Sequence, residues 1–233
     1  MTVSLEMLSP SHVIDSFRTV FKGREDHKRF IMISMMLVML THMMGEYAEF
    51  YCQFSYTKRL FGWDVSNYSY FSMVQTFTTS AGILVFSSLF HHINLNDNLI
   101  IFFSGLSGIA AQIFRTFANN DNEFFASISV ELASAVFSSP IRAQITRCIL
   151  PAETGKVFAM LASTESFVPI LSSFIFTNVY TSTIDMDYPW QGAFYLVAAG
   201  FTLVGLIATA AVYILSKGKI ISAANQTDDH HKI

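Results

Sequence analysis

Phe30-Ile31-Met32-Ile33-Ser34-Met35-Met36-Leu37-Val38-Met39-Leu40 decides the fold class. It opens an apolar run that continues with few interruptions to about residue 54, long enough to cross the hydrocarbon core of a bilayer as a helix. Five more stretches follow, at about 67–90, 98–117, 123–148, 155–182 and 190–216. The second and fourth are diluted by Ser and Thr, which helix-on-helix packing in membranes tolerates. Barrel strands are excluded because they would alternate in polarity over about 10 residues. The composition agrees: of 233 residues, 52% are hydrophobic and 13% charged, against about 25% charged in soluble domains. The fold class read from this pattern is an all-α membrane protein with six transmembrane helices, embedded in the lipid bilayer. A net charge of −3 gives no support to a nucleic-acid partner.

Residues 1–29 form a cytoplasmic segment with no apolar core, unlike a secretory signal. Within it Val13, Ile14, Phe17, Val20 and Phe21 recur at helical spacing, which suggests an amphipathic helix on the membrane surface. Residues 30–216 are the six-helix domain, and 217–233 read as a disordered tail. Six spans put both termini on one side. The flanks on that side hold eleven Lys and Arg residues, and the opposite flanks hold Lys58, Arg59 and Arg115. Basic residues stay cytoplasmic, so both termini are expected inside. Cys52 and Cys148 fall at opposite membrane faces, too far apart for a disulfide, which needs Cα atoms within about 7 Å.

Ionisable residues within hydrocarbon are costly and mark candidate solute or proton pathways. In the first span His42, Glu46, Glu49 and Gln53 stack on one helical face. The fourth span carries Ser127, Glu131, Ser134 and Ser138 at similar steps, and Arg142 near its cytoplasmic end. Glu165 lies about 15 Å into the fifth span, near the midplane. Glu131 and Glu165 are too short to reach either interface, which favours a place in a watery cavity. Glu49, Arg115 and Glu123 are expected near the outer interface, where long side chains reach headgroups. The paired His230 and His231 lack the fixed geometry a metal site needs. No nucleotide, zinc-protease or Cys-x-x-Cys motif occurs, and no cofactor is implied. Gly105-Leu106-Ser107-Gly108 has the form used by rhomboid-type intramembrane serine proteases, but the only later histidines lie in the tail, so the general base is missing. The segment reads as close helix packing, and the chain as a non-enzyme.

Several motifs together resemble the C-terminal half of the proton-coupled folate transporter family (solute carrier family 46) of the major facilitator superfamily. His12-Val13-Ile14-Asp15-Ser16-Phe17-Arg18-Thr19-Val20-Phe21-Lys22 is similar to the end of that family's central cytoplasmic loop. Gly45-Glu46, Tyr56-Thr57 and Phe61-Gly62-Trp63 resemble its seventh helix and the loop after it. Pro140-Ile141-Arg142-Ala143, Glu153-Thr154-Gly155-Lys156-Val157-Phe158, Thr164-Glu165-Ser166 and Asn178-Val179-Tyr180 resemble its tenth and eleventh helices and their joining loop. The resemblance implies alternating-access symport of a small anionic solute with protons, at the plasma or endolysosomal membrane. It also implies that Arg142 matters for transport. Glu165 replaces an uncharged amide of the folate member, so the resemblance does not extend to folate as the substrate. The loop 89–97 lacks the basic signature common in the superfamily.

On this reading Glu131 or Glu165 carries the coupling proton, Arg142 binds the anion or forms part of an inner gate, and His42 and Glu46 line the pathway. One six-helix half needs a missing N-terminal half or an oligomeric partner to cover its polar face. The alternative is a non-transporting half that associates with full-length relatives and modulates them.

Overall fold

A computed structural model describes residues 18–21 and 28–230, with side chains described up to residue 215. The membrane domain consists of α1 (Lys28–Leu60), α2 (Val65–His92), α3 (Asp97–Thr116), α4 (Asp121–Glu131), α5 (Ser138–Arg147), α6 (Thr154–Thr183) and α7 (Ala193–His230). A 3₁₀ segment, Leu132–Val136, joins α4 and α5 into one span, Asp121–Arg147. The six spans thus fall where the apolar runs place them, and no strand occurs among the described residues.

Helix boundaries follow local chemistry. Asp64 caps α2 by accepting from the Asn67 amide at 2.8 Å, and Asn120 caps α4 by accepting from the Glu123 amide at 2.9 Å. Asn94 turns the chain between α2 and α3 with φ of 54°, a conformation Asn tolerates better than most residues. The α4–α5 break has a sequence cause in Pro140, which brings no N–H to the carbonyl of Val136, where the 3₁₀ segment ends. α7 runs on to His230 through the stretch read as a disordered tail, since no proline interrupts residues 193–230. Val13, Ile14 and Phe17 of the expected amphipathic helix lie outside the described residues. Residues 18–21 are helical, with Val20 buried against the bundle and Phe21 half exposed.

α1, α3 and α7 make the centre, α1 also packing on α6 and α3 on the broken fourth span. α2 lies against the fourth span. Both flanking helices turn large apolar side chains outward, including Phe77 and Leu84 on α2 and Phe167 and Phe174 on α6, as a lipid-facing surface would. The buried apolar residues form two clusters. One gathers Met32, Met35, Val38, Ile101, Phe137, Ile141 and Leu206. The other gathers Ala48, Tyr56, Trp63, Phe71, Phe124, Phe176, Phe194 and Tyr195. His42 follows the stretch of α1 that feeds the first cluster, and Glu46 lies between Met44 and Ala48 of the second, where the open side of the bundle becomes polar.

The close approaches that shape this middle zone need small residues. A Cβ on Gly82 of α2 would stand 2.7 Å from the Leu132 carbonyl oxygen. One on Gly105 of α3 would stand 2.5 Å from Leu206 and 2.8 Å from Phe137. Ser107 donates its hydroxyl to the Val130 carbonyl at 2.5 Å, just before the break. The Gly105–Gly108 segment therefore packs α3 against α7 and the broken span, as its small residues suggest.

Candidate functional site

Arg115 is the largest correction to the sequence reading. It points into the bundle and is completely buried, rather than reaching for headgroups. A lone guanidinium there would cost several kcal/mol, and its surroundings explain how it is kept. Arg115 Nη1 donates to Glu49 Oε1, Nη2 donates to Glu131 Oε2 at 2.5 Å, and Nε donates to Ser127 Oγ at 2.9 Å. The Ser127 hydroxyl is free to accept because it gives its own proton to the Phe124 carbonyl at 2.6 Å. Gln75 Nε2 then bridges the two acids, donating to Glu49 Oε2 and to Glu131 Oε2, each at 3.2 Å. One network thus ties together α1, α2, α3 and α4. Glu49 likewise faces inward. Glu123 is a helix cap, its carboxylate accepting from the Asn119 amide at 2.7 Å and from Asn120 Nδ2 at 2.9 Å.

Sequence did hold a signal for Arg115. Ile101, Ser104, Gly105, Ala111, Gln112 and Arg115 are all buried and recur at helical steps, so Arg115 continues the small, inward face of α3. Reading it by depth alone missed that.

His42 and Glu46 form a second pair, Nε2 to Oε1 at 3.4 Å, one helical turn apart on α1. The His42 ring lies 4.1 Å from that of Phe137. His42 is largely enclosed, but the Glu46 side chain is 63% exposed on the open side of the bundle. Among Glu46, Glu49, Gln112, Glu131, Ser134 and Thr202 lies an internal cavity of about 50 Å³. Glu131 is thus joined to Glu46 and His42 through one small polar space.

Arg142 and Glu165 form a third pair, apart from the first two. Arg142 Nη2 donates to Glu165 Oε1 at 3.0 Å, linking the fourth span to the fifth. Arg142 is 43% exposed and Glu165 15% exposed, so the cation of this pair is open to solutes while its acid is mostly covered. Arg142 is therefore engaged within the protein. At the inward end expected from charge, Arg147 pairs with Asp97 at 2.5 Å and Gln144 donates to Asn98 at 2.7 Å. Cys52 and Cys148 are both buried and form no disulfide.

The architecture and the site define a multi-pass all-α membrane protein with a polar, ion-paired interior. No family model matches the chain. It is 24% identical over 202 residues to a Drosophila melanogaster protein named as a probable peptidoglycan muropeptide transporter of the SLC46 type. It is 23% identical over 207 residues to the lysosomal proton-coupled steroid conjugate and bile acid symporter SLC46A3 of Gallus gallus. Each match covers 84% of this chain, which spans 38% and 42% of the two relatives' lengths. The chain is SLC46-like, and both relatives are transporters, which points away from an enzyme.

Proposed function

We propose that this chain acts as the C-terminal six-helix half of a secondary transporter that moves a small anionic organic solute together with protons. The observation that carries this reading is the Arg142–Glu165 pair, a guanidinium open on one side and held by a carboxylate on the other. A guanidinium binds one carboxylate, sulfate or phosphate through a planar fork. A solute anion reaching Arg142 competes with Glu165 for that fork. Protonation of Glu165 removes its charge, weakens its hold on Arg142 and frees the fork for the solute. Proton and anion are then loaded together, as symport requires.

The two relatives support transport of an organic solute, since one is named as a probable muropeptide transporter and the other as a proton-coupled symporter of steroid conjugates and bile acids. Eleven of fourteen Lys and Arg residues in the sequence lie on the flanks that share the termini, which supports termini in the cytosol. With Arg115 withdrawn into the bundle, the opposite flanks keep only Lys58 and Arg59. The plasma membrane and the endolysosomal membrane both suit this orientation. The exposed Glu46 and Arg142 are expected to face a partner, either an N-terminal half or another copy, across a water-filled path.

The test is uptake of a labelled bile acid, steroid sulfate or muropeptide into proteoliposomes holding this chain assembled with an N-terminal half of an SLC46 transporter. Arg142→Ala is expected to abolish concentrative uptake, and Arg142→Lys to restore part of it. Uptake indifferent to both Arg142→Ala and Glu165→Gln overturns the reading. Stable assembly with a full-length relative that alters its uptake, while no assembled pair transports by itself, would favour a modulatory half instead.

A further inference from the structure

We infer that Glu49 and Glu131 hold a single proton between them against Arg115, forming a proton-binding site enclosed within the bundle and separate from the Arg142–Glu165 pair. The inference rests on the symport reading for its purpose, though not for its chemistry. Two carboxylates and one guanidinium meet in the network, and Arg115 is fully buried. With both acids ionised the group carries a net charge of −1 in a medium that solvates charge poorly. One proton on either acid makes it neutral. The bridge through Gln75 Nε2 brings Glu49 Oε2 and Glu131 Oε2 within about 6.4 Å of each other, and like charges that close in low dielectric favour a shared proton.

The groups that face the network from each packed element do not supply the missing positive charge. From α1 come Glu46, paired with His42, and the amide of Gln53. α2 offers Gln75 and the Tyr68 hydroxyl, α4 offers Ser127, and α7 offers the Tyr195 hydroxyl, all without charge at neutral pH. From α3, Gln112 is over nine-tenths buried, lines the cavity, and its Oε1 receives no hydrogen bond from the protein. An acceptor in that position calls for a donor within the cavity. About 50 Å³ holds one or two waters. Such water touches Glu131 and Glu49 on one side and Glu46 on the other, and Glu46 opens to the exterior. The proton therefore has a route: from bulk water to Glu46 and His42, through cavity water, to the carboxylate pair. It leaves by the same groups in reverse; each hop breaks one O–H or N–H bond as it forms the next, and no bond between heavy atoms changes.

The experiment is pH-difference infrared spectroscopy of the purified chain in lipid, reading the C=O stretch of a neutral, deuterium-sensitive carboxylic acid. At neutral pH the native chain is expected to show one such buried group. Glu49→Gln and Glu131→Gln should each remove it, because the one remaining carboxylate balances Arg115. Glu165→Gln should leave it in place. Glu49→Asp and Glu131→Asp keep the acid but move it, so they should shift the band, which keeps the test decisive if a Gln variant fails to fold. No neutral carboxyl in the native chain overturns the inference. So does a band that survives both Gln variants, one unmoved by both Asp variants, or one that Glu165→Gln alone removes. Absence of the band with pH-driven uptake intact sinks this site and leaves the symport reading standing. The expected band without any uptake does the reverse.

Discussion

Pro169 stands four residues beyond Glu165 in α6, so the Glu165 carbonyl meets a proline ring where a helix would offer an amide. The fifth span is therefore weakened at the level of Glu165, which sits on a segment that can bend. Pro169→Ala should restore the helical hydrogen bond and raise the melting temperature of the purified protein. If bending of α6 accompanies release of Arg142 from Glu165, the same change should slow uptake in the assembled transporter. A variant neither more stable nor slower than the parent would show that the proline is a passive feature of the span.

Arg115 gives the sharpest stability prediction. Removing one partner of a buried ion pair costs about 3–5 kcal/mol, because the charges left behind lose their compensation. Arg115→Leu strands both Glu49 and Glu131 and should lower the melting temperature strongly in detergent. Arg115→Lys keeps the charge but loses the fork that reaches two acids and Ser127 together, so it should recover only part of the loss. By contrast, Arg59 and Asp185 are exposed, and their 2.7 Å pair is of the kind worth about 0–1 kcal/mol. Arg59→Ala should be hard to distinguish from the parent in the same assay.

The six spans were legible because length and apolarity alone define a bilayer-crossing helix, and the structure extends the first of them at its C-terminal end by a few residues. The polar site was only half legible. His42, Glu46 and Glu49 could be put on one face of α1 by counting turns, and Glu131 and Arg142 fall on either side of the break in the fourth span. Which acid meets which base could not be counted, because it depends on the angle at which α3 presents Arg115 to α1 and α4. The close approaches at Gly82 and Gly105 and the 3₁₀ turn that shape the middle of the bundle are likewise features that no pattern of polar side chains spells out.

Those glycines make a graded prediction. A methyl group on Gly82 meets backbone at 2.7 Å, and backbone has little room to move. On Gly105 it meets the Leu206 and Phe137 side chains at 2.5 and 2.8 Å, which can shift at some cost. On Gly108 its nearest neighbour is Ser134 Cβ at 3.4 Å, ordinary contact. Thermal unfolding should therefore rank Gly82→Ala as most damaging, Gly105→Ala next, and Gly108→Ala close to neutral. Overpacking of this type costs typically about 1–3 kcal/mol. A strongly destabilised Gly108→Ala would mean that α3 packs more tightly on the fourth span than the structure indicates.

Orientation can be tested with the two native cysteines as a quiet background, since Cys52 and Cys148 are 2% and 8% exposed. Two exposed residues on opposite connections serve as reporters. Leu150, 62% exposed, lies between the fourth and fifth spans, and Met186, 48% exposed, lies between the fifth and sixth. The charge bias places residue 150 in the cytosol and residue 186 across the membrane. In sealed microsomes, whose cytoplasmic face is outward, a membrane-impermeant maleimide should label Leu150→Cys directly. Met186→Cys should react only once detergent opens the vesicles. This assay is independent of which organelle finally holds the protein, because the orientation is set on insertion. The reverse pattern would place Arg142 toward the exterior or lumen. The proton would then load Glu165 from the side opposite to the one the charge bias implies.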